Sequence, residues 1–454
     1  MKIAIIGGGA SGMVTAYLLD KQGHQVTVFE REKMLGGHIR TLNQNVHPNR
    51  SDCNLILENG VLEFPTSFHN FMNLMAELGI ELEPVNIGSA LFLKNGIHYL
   101  SKVAIDRNFT GIDRFLEYLR INLFYLRSAS LLIAAKFWKA IDFRNQSLAD
   151  RFKQPYLRNI WLKLFAMYSY SIPFAAIDNC PAELVIPTLR DDVFVDWVRI
   201  KGGVYSYIQK IIDRFRGEIL LGAEVTAIHR SISGITIELA GAKMLEFDKV
   251  VFATPPDVVL KLLADPRPQE IDKFAAWQEN HVQTLLHTDM EMYEPYHIKE
   301  GSEFDFFETD RQNGNWGYNA RLNQLCGITS PTQYSLSFNL ESLIAPDRIL
   351  HIQQHHTPFY TVEAFQYRQE IIKTNGELNT YHVGAYLGDG LHEGAITSAI
   401  QVAEAIANIV EIKCEYLAPP NPGANVSFKS PIPMVSLSVA SCNSNRSGLQ
   451  SSQN

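Results

Sequence analysis

The chain is poor in cysteine: Cys53, Cys180, Cys326, Cys414 and Cys442 are its five among 454 residues, and none stands in a C-x-x-C pair. An odd, scattered set excludes a disulfide framework and a zinc knuckle, and it fits a reducing, cytoplasmic compartment. Positive charge is also in deficit, with 40 Lys and Arg against 48 Asp and Glu. The net charge of −8 excludes general nucleic-acid binding, which needs a basic surface. An uninterrupted apolar run of about 20 residues is lacking, so no membrane span is expected. The most lipid-like stretch, Leu119 to Trp138, is broken by Arg120, Arg127 and Lys136. It reads as a buried helix of a second domain, with an amphipathic, peripheral membrane contact as the alternative. The apolar start, Met1 to Ile6, is too short for a signal-peptide core and runs straight into a glycine turn. His351, His355, His356, His392 and Glu393 follow no metal-ligand spacing, so no metal is expected. No G-x-S-x-G elbow is present either.

What is present begins at residue 2. Lys2 to Ile6 is short, apolar and rich in β-branched residues, as a buried parallel strand is. Ala10 to Gln22 carries a helical apolar face, and Gly23 follows at the position of a left-handed C-cap. Gln25 to Phe29 is a second strand, ending at Glu30. Between them, Gly7-Gly8-Gly9-Ala10-Ser11-Gly12 fits G-x-G-x-x-G in the required setting of strand, loop, helix, strand and terminal acid. Gly7 permits the tight turn, Gly9 lets the backbone approach a pyrophosphate, and Gly12 lets helix and strand pack closely. The free N–H groups of the helix start face the phosphates, and Glu30 accepts from the ribose hydroxyls. These residues predict an adenine dinucleotide and leave FAD and NAD both open.

Helical patterning dominates from about Asn54 to Lys201, over Phe68–Leu78, Ile112–Ala140 and Leu157–Tyr170. Strand and helix patterns then return, with strands expected at 223–229, 234–239, 249–253, 283–290, 334–339 and 381–385. The dinucleotide domain is therefore discontinuous: residues 1–54, 201–275 and 381–415, with 55–200 and 276–380 forming a substrate-binding domain. Residues 416–454 are rich in Pro, Ser, Asn and Gly and read as a disordered tail.

The segment Arg31-Glu32-Lys33-Met34-Leu35-Gly36-Gly37-His38-Ile39-Arg40-Thr41 decides for FAD, because its glycine pair resembles that of the flavin amine oxidase superfamily, which includes phytoene desaturases and protoporphyrinogen oxidases. Gly202-Gly203 resembles the superfamily's glycine pair before a helix. Glu224-Val225 resembles the strand whose valine backbone contacts adenine. Asp248 to Pro256 resembles its "VVxAxPP" strand, with Ala253 at the cofactor. Gly384-Ala385-Tyr386 and Leu391 to Ile396 resemble the last flavin-binding strand and helix. "LGGHxxT", the His356-Thr357-Pro358-Phe359 stretch and Gly384 to Glu393 resemble one bacterial branch, FAD-dependent oxidoreductases described alongside cyclopropane-fatty-acid synthases. The resemblance implies an α/β fold, with a Rossmann-like (GR2-type) FAD domain carrying an inserted α+β substrate domain. It implies FAD contacts from Gly7, Gly8, Gly9, Ala10, Ser11, Gly12, Glu30, Arg31, Gly36, Gly37, His38, Val225, Ala253, Gly384, Ala385, His392 and Glu393. Three positions depart from the family pattern: Ala385 replaces an acid, Ala399 a glycine, and Leu391 a frequent aromatic residue.

Leu391 weakens the case for an amine substrate. Phe115, Leu119, Leu123, Phe124, Tyr125, Leu126, Leu131, Leu132 and Ile133 form a dense apolar set, read either as a tunnel for a fatty-acyl or isoprenoid chain or as an ordinary helical core. The expected activity is FAD-dependent oxidation or desaturation of a hydrophobic small molecule, with dioxygen, NAD(P) or another compound accepting the electrons. A redox-neutral double-bond isomerase is one alternative, and a flavin-free prenyl or lipid carrier is another. No residue stands out as catalytic.

Overall fold

Lys2–Ile6 is a strand because four successive apolar side chains, Ile3 to Ile6, are buried at once, which only a sheet covered on both faces allows. The computed structural model describes residues 1–47, 54–137, 143–151, 156–192, 195–310 and 315–417. In it this strand is central to a five-stranded parallel sheet, in the order Thr380–His382, Lys249–Phe252, Lys2–Ile6, Gln25–Glu30, Glu218–Leu221. Its strands come from opposite ends of the chain: Ile6 pairs with Phe252 on one side and Phe29 on the other. The helix Ala10–Lys21 crosses between the first two strands and is followed by Gly23 at φ +83°, a left-handed position that glycine adopts freely.

A second, seven-stranded sheet has the order Ile349–Phe359, Gln278–His287, Ser335–Phe338, Asn315–Arg321, Phe304–Asp310, Ser89–Phe92, His98–Tyr99. The helices Gly111–Phe137, Tyr156–Tyr170 and Ala182–Asp192 accompany it. A three-stranded antiparallel sheet, Val225–Ser231, Gly234–Leu239 and Lys243–Phe247, precedes the Lys249–Phe252 strand. A small sheet of Phe64–Pro65, Trp197–Ile200 and Leu82–Val85 lies where the chain enters and leaves the inserted region. The α/β fold with an inserted α+β part is therefore present. Residues Met1–Ile409 form one contact unit and Val410–Asn454 another. Of the expected tail, residues 418–454 lie outside the described residues.

The helical reading of residues 54–200 misses the strand Ser89–Phe92, and Phe304–Asp310, Asn315–Arg321 and Ile349–Phe359 carry no clear strand signal either. The reason is chemical. Phe304–Asp310, Asn315–Arg321 and Ile349–Phe359 bury Asp305, Asn319, His351 and His355, so the alternation that marks a strand is masked, and Ser89–Phe92 is a four-residue, mostly apolar run that periodicity does not separate from a helix. Asp305, Asn319, Ser335, Ser337 and His287 are all buried and satisfy one another: the Tyr293 hydroxyl donates to Asp305 at 2.6 Å, Asn319 donates to Tyr293 at 3.0 Å, and Ser337 donates to Asn319 at 2.8 Å. A complete network of this kind removes most of the desolvation cost of burying its members. The expected buried helix over Leu119–Trp138 is also corrected. Phe124 is buried, but Phe115, Leu119, Leu123, Tyr125 and Leu126 are exposed. The side chains of Leu131, Leu132 and Ile133 lie outside the described residues.

Candidate cofactor site

Two glycine loops meet backbone to backbone. Gly7 has φ +108°, and a Cβ there would stand 2.6 Å from the Ala253 carbonyl oxygen. A Cβ on Gly12 would stand 2.0 Å from the Gly7 oxygen. Both glycines are therefore required by packing alone. Gly9 is the N-cap of the helix, and no side chain caps it, which leaves the first helical N–H groups for an anion. The Gly36 N–H donates to the Gly8 carbonyl at 2.9 Å, Gly9 and Gly36 form a parallel bridge, and a Cβ on Gly37 would lie 3.0 Å from the Gly9 Cα. Ala10 and Ser11 continue the first loop into the helix, where Ser11 is buried.

Glu30 closes one end of this cradle. Its carboxylate accepts from the Gly8 N–H at 2.7 Å and the Glu32 N–H at 2.9 Å. The Gly222 and Ala223 N–H groups donate to the Glu32 and Glu30 carbonyls, both at 2.9 Å. That pairing brings Val225, at the head of its strand, beside Glu30. Arg31 is exposed and stands 3.7 Å from Glu32.

Arg40 was not among the residues expected to bind. It is buried, and its Nη1 has no hydrogen-bond partner. Burial of an unpaired guanidinium is costly, and its placement ten residues past Glu30, in the second glycine loop, matches an anionic partner. The Nη1 orphan and the uncapped helix start both fit the pyrophosphate of FAD. The sequence signal was the basic residue three positions after the glycine pair.

A second overlooked group is Glu58-Asn59-Gly60. Glu58 is buried and accepts from the Thr41 hydroxyl and the Val204 N–H, both at 2.7 Å. It thus ties the loop after Gly37 to the Gly202-Gly203 turn, and burial raises its carboxyl to about 8. A Cβ on Gly60 would stand 2.1 Å from the His38 carbonyl oxygen. Asn45 clamps the same loop, donating to the Leu35 and Ile39 carbonyls at 2.9 and 2.8 Å.

The second sheet reaches this loop through His38, whose Nε2 donates to the His356 carbonyl at 2.7 Å. Beside it, the Thr284 hydroxyl donates to Asn59 Oδ1 at 2.8 Å and lies 3.1 Å from His355 Nε2. Burial holds the His355 imidazole down to about 3, so it is neutral. Three residues past Gly60, Glu63 accepts from the Tyr168 hydroxyl, and its Oε2 has no partner. Burial raises Glu63 to about 8.

The C-terminal motif is arranged differently from the rest. Gly384 donates its N–H to Ser398 Oγ at 3.0 Å, and Ala385 opens the turn that leads to Asp389. Asp389 Oδ1 accepts from the Leu391 and Gly394 N–H groups, both at 2.8 Å. The helix His392–Leu417 is therefore already capped by an acid of this chain. Glu393 accepts from the Asn70 and Phe71 N–H groups at 2.8 and 2.9 Å, capping the helix His69–Leu78. His392 shares a 2.7 Å hydrogen bond with the Tyr207 hydroxyl and sits among Phe64, Phe71 and Tyr207. Burial lowers its imidazole to about 4. A His392→Phe variant is expected to load flavin within about twofold of the parent while its Tm drops by a few degrees. Loss of flavin absorbance in a folded His392→Phe protein would instead put the imidazole at the cofactor. Among the described residues, no group of three or more His, Cys, Asp or Glu could hold a metal ion.

The parallel sheet, the double glycine cradle and the acid at the second strand define a site for an adenine dinucleotide. A family profile described as flavin containing amine oxidoreductase matches residues 10–295. The chain belongs to that family, and its cofactor is FAD. It is 23% identical over 287 residues to a flavin-dependent L-tryptophan oxidase of Lentzea aerocolonigenes, covering 58% of this chain and 59% of that protein. The chain thus spans about three fifths of that relative's length. A solved variant of putrescine oxidase superposes with a TM-score of 0.64 at 15% identity, covering 90% of this chain and 99% of that one. A fatty acid isomerase from P. acnes, described as producing CLA, superposes with a TM-score of 0.63 at 14% identity, covering 90% of this chain and 98% of that one. At these identities the two structures establish the fold alone.

Proposed function

We propose that the chain oxidises or desaturates a hydrophobic small molecule of fatty-acyl or isoprenoid type. The observation that carries this reading is the wall beyond Gly60. Tyr168 packs on Phe304 and Tyr318 at ring distances of 4.5 and 5.4 Å, Tyr318 stands 6.3 Å from Phe306, and Phe306 6.3 Å from Trp161. The acid set in this wall, Glu63, holds its proton at neutral pH. A neutral acid among aromatic rings offers a hydrogen-bond donor to a carbonyl or hydroxyl and no fixed negative charge to an ammonium.

In this reading the N–H groups after Gly9 and the Arg40 guanidinium hold the pyrophosphate, and Glu30 holds the ribose. Gly36, Gly37 and His38 line the path toward the second sheet. Val225 and Ala253 contact the cofactor through backbone, and Gly384 and Ala385 close its far end. Arg31 lies at the exposed edge, while His392 and Glu393 contribute through backbone N–H groups. FAD supplies the acceptor for a hydride taken from a substrate carbon. Asn59, Thr284 and His355 form a neutral polar group that orients the substrate, and the aromatic wall excludes water. Dioxygen, NAD(P) or another small acceptor takes the electrons onward. Such a substrate resides in a lipid phase, and the chain meets that phase peripherally. The intact cradle argues against a flavin-free carrier.

The test is anaerobic addition of a panel of unsaturated fatty acids and polyprenoids, with putrescine and L-tryptophan as amine controls. A lipid is expected to bleach the flavin absorbance while the amines leave it unchanged. Bleaching by the amines alone would overturn the substrate class. Lipid conversion with no net electron transfer would assign isomerisation instead of oxidation.

A further inference from the structure

The outward side of the helix Gly111–Phe137 departs from the pattern of a surface helix. Its inner side is ordinary: Ile121 and Phe124 are buried, and the Phe124 ring lies 4.5 Å from Tyr99 and meets Trp161 edge-on at 5.8 Å. A helix anchored this way presents polar side chains to water. Here Ile112, Phe115, Leu116, Leu119, Leu123 and Leu126 are exposed, with Phe115 at 61%, Ile112 at 69% and Leu126 at 72%. They recur every three or four residues, which places them on one stripe about 21 Å long. Exposed apolar residues scattered singly need no explanation, but a continuous stripe does.

The charge around the stripe indicates what covers it. The helix itself carries Arg114, Arg120, Arg127 and Lys136 against Asp113 and Glu117, an excess of positive charge in a chain whose net charge is −8. Arg114 and Arg120 stand on this helix with half-exposed side chains, Arg114 3.5 Å from Asp106 and Arg120 2.8 Å from Glu117. A second copy would bring the same positive segment against itself across a two-fold contact, which like charges oppose. A negatively charged lipid surface complements both the apolar stripe and the basic segment. No helix among the described residues is long and apolar enough to cross a bilayer, so the helix lies in the interface plane.

We propose that this stripe docks the protein on an anionic membrane surface, with Phe115, Leu119 and Leu126 inserted and Arg120 at the headgroups. The proposal rests on the peripheral-membrane reading above and assigns its contact face. The buried side of the same helix continues through Phe124, Trp161, Phe306 and Tyr318 to Tyr168 and Glu63.

The experiment is cosedimentation of the FAD-loaded full chain with vesicles of phosphatidylcholine alone or mixed equally with phosphatidylglycerol. The parent is expected to bind the mixed vesicles, to bind the neutral ones more weakly, and to be released by salt. Phe115→Glu/Leu126→Glu is expected to bind the mixed vesicles at least about tenfold more weakly. Phe115→Gln/Leu126→Gln serves as a charge-free second variant. Ile232→Glu, at another fully exposed apolar residue, is expected to bind like the parent. Flavin absorbance and Tm report that each variant is folded. Undiminished binding by both double variants would overturn the stripe and leave the peripheral reading standing. Failure of the parent to bind either vesicle would overturn both. A parent dimer that the variants dissociate, with no vesicle binding, would assign the face to a second copy and overturn the lipid.

Discussion

A Gly9→Leu variant is expected to fold normally and to purify colourless. Gly9 lies at φ −77° and ψ −173°, an extended conformation that any residue adopts. A Cβ there meets nothing nearer than the Gly37 Cα at 3.6 Å. The backbone therefore tolerates the substitution, while the branched side chain occupies the seam where the two glycine loops leave room for a pyrophosphate. FAD affinity should fall by at least about a hundredfold, roughly 2.7 kcal/mol. Circular dichroism of the parent stripped of flavin supplies the reference for folding, and visible absorbance reports loading. Gly12→Val is the contrasting variant. Its Cβ would stand 2.0 Å from the Gly7 oxygen, so it should lose the fold itself. A yellow Gly9→Leu protein would show that the pyrophosphate binds elsewhere.

The second large effect is on stability as a function of pH. Burial raises Glu58 and Glu63 from 4.5 to about 8, and both are under one-tenth exposed. Between those values the folded chain keeps two protons that the unfolded chain gives up. The unfolded state then binds fewer protons, so stability falls as pH rises. The contribution is complete below about 4.5 and is lost as pH passes through about 8. At 1.36 kcal/mol per unit, each carboxyl accounts for a few kcal/mol. Glu63→Gln keeps an acceptor for the Tyr168 hydroxyl and removes the titration. Urea denaturation at pH about 5 and about 8.5 should show a marked loss of stability in the parent and a smaller one in Glu63→Gln. Equal losses in the two proteins would mean that Glu63 is ionised in the folded chain.

The cofactor half of the fold was legible because its chemistry is written in the backbone. Glycines at 7, 9 and 12 can be read from sequence since steric exclusion acts at fixed spacing, and the β-branched runs on either side leave no other fold for them. The second sheet was less legible. Its strands Phe304–Asp310 and Asn315–Arg321 bury Asp305 and Asn319, joined through the Tyr293 hydroxyl, and hydrophobic periodicity says nothing about such residues. Arg40 and Glu58 escaped notice for a related reason. Each acts through a partner distant in sequence or absent from it, and their own neighbours carry no fixed pattern. The apolar set around Leu119 was visible, but which side of the helix it faced depended on Phe124 finding Tyr99 and Trp161.

The order of strands in the parallel sheet also has a bearing on biosynthesis. The Gly7 loop rests on Ala253, and the outermost strand ends at His382, just before Gly384. A ribosome adding roughly 5–20 residues per second takes about 20–75 seconds to travel from Gly7 to Gly384. For the first part of that interval, about 12–50 seconds until Ala253 is made, the glycine loop is without its floor. The nascent chain is thus expected to recruit flavin only after the strand that ends at His382 has been made.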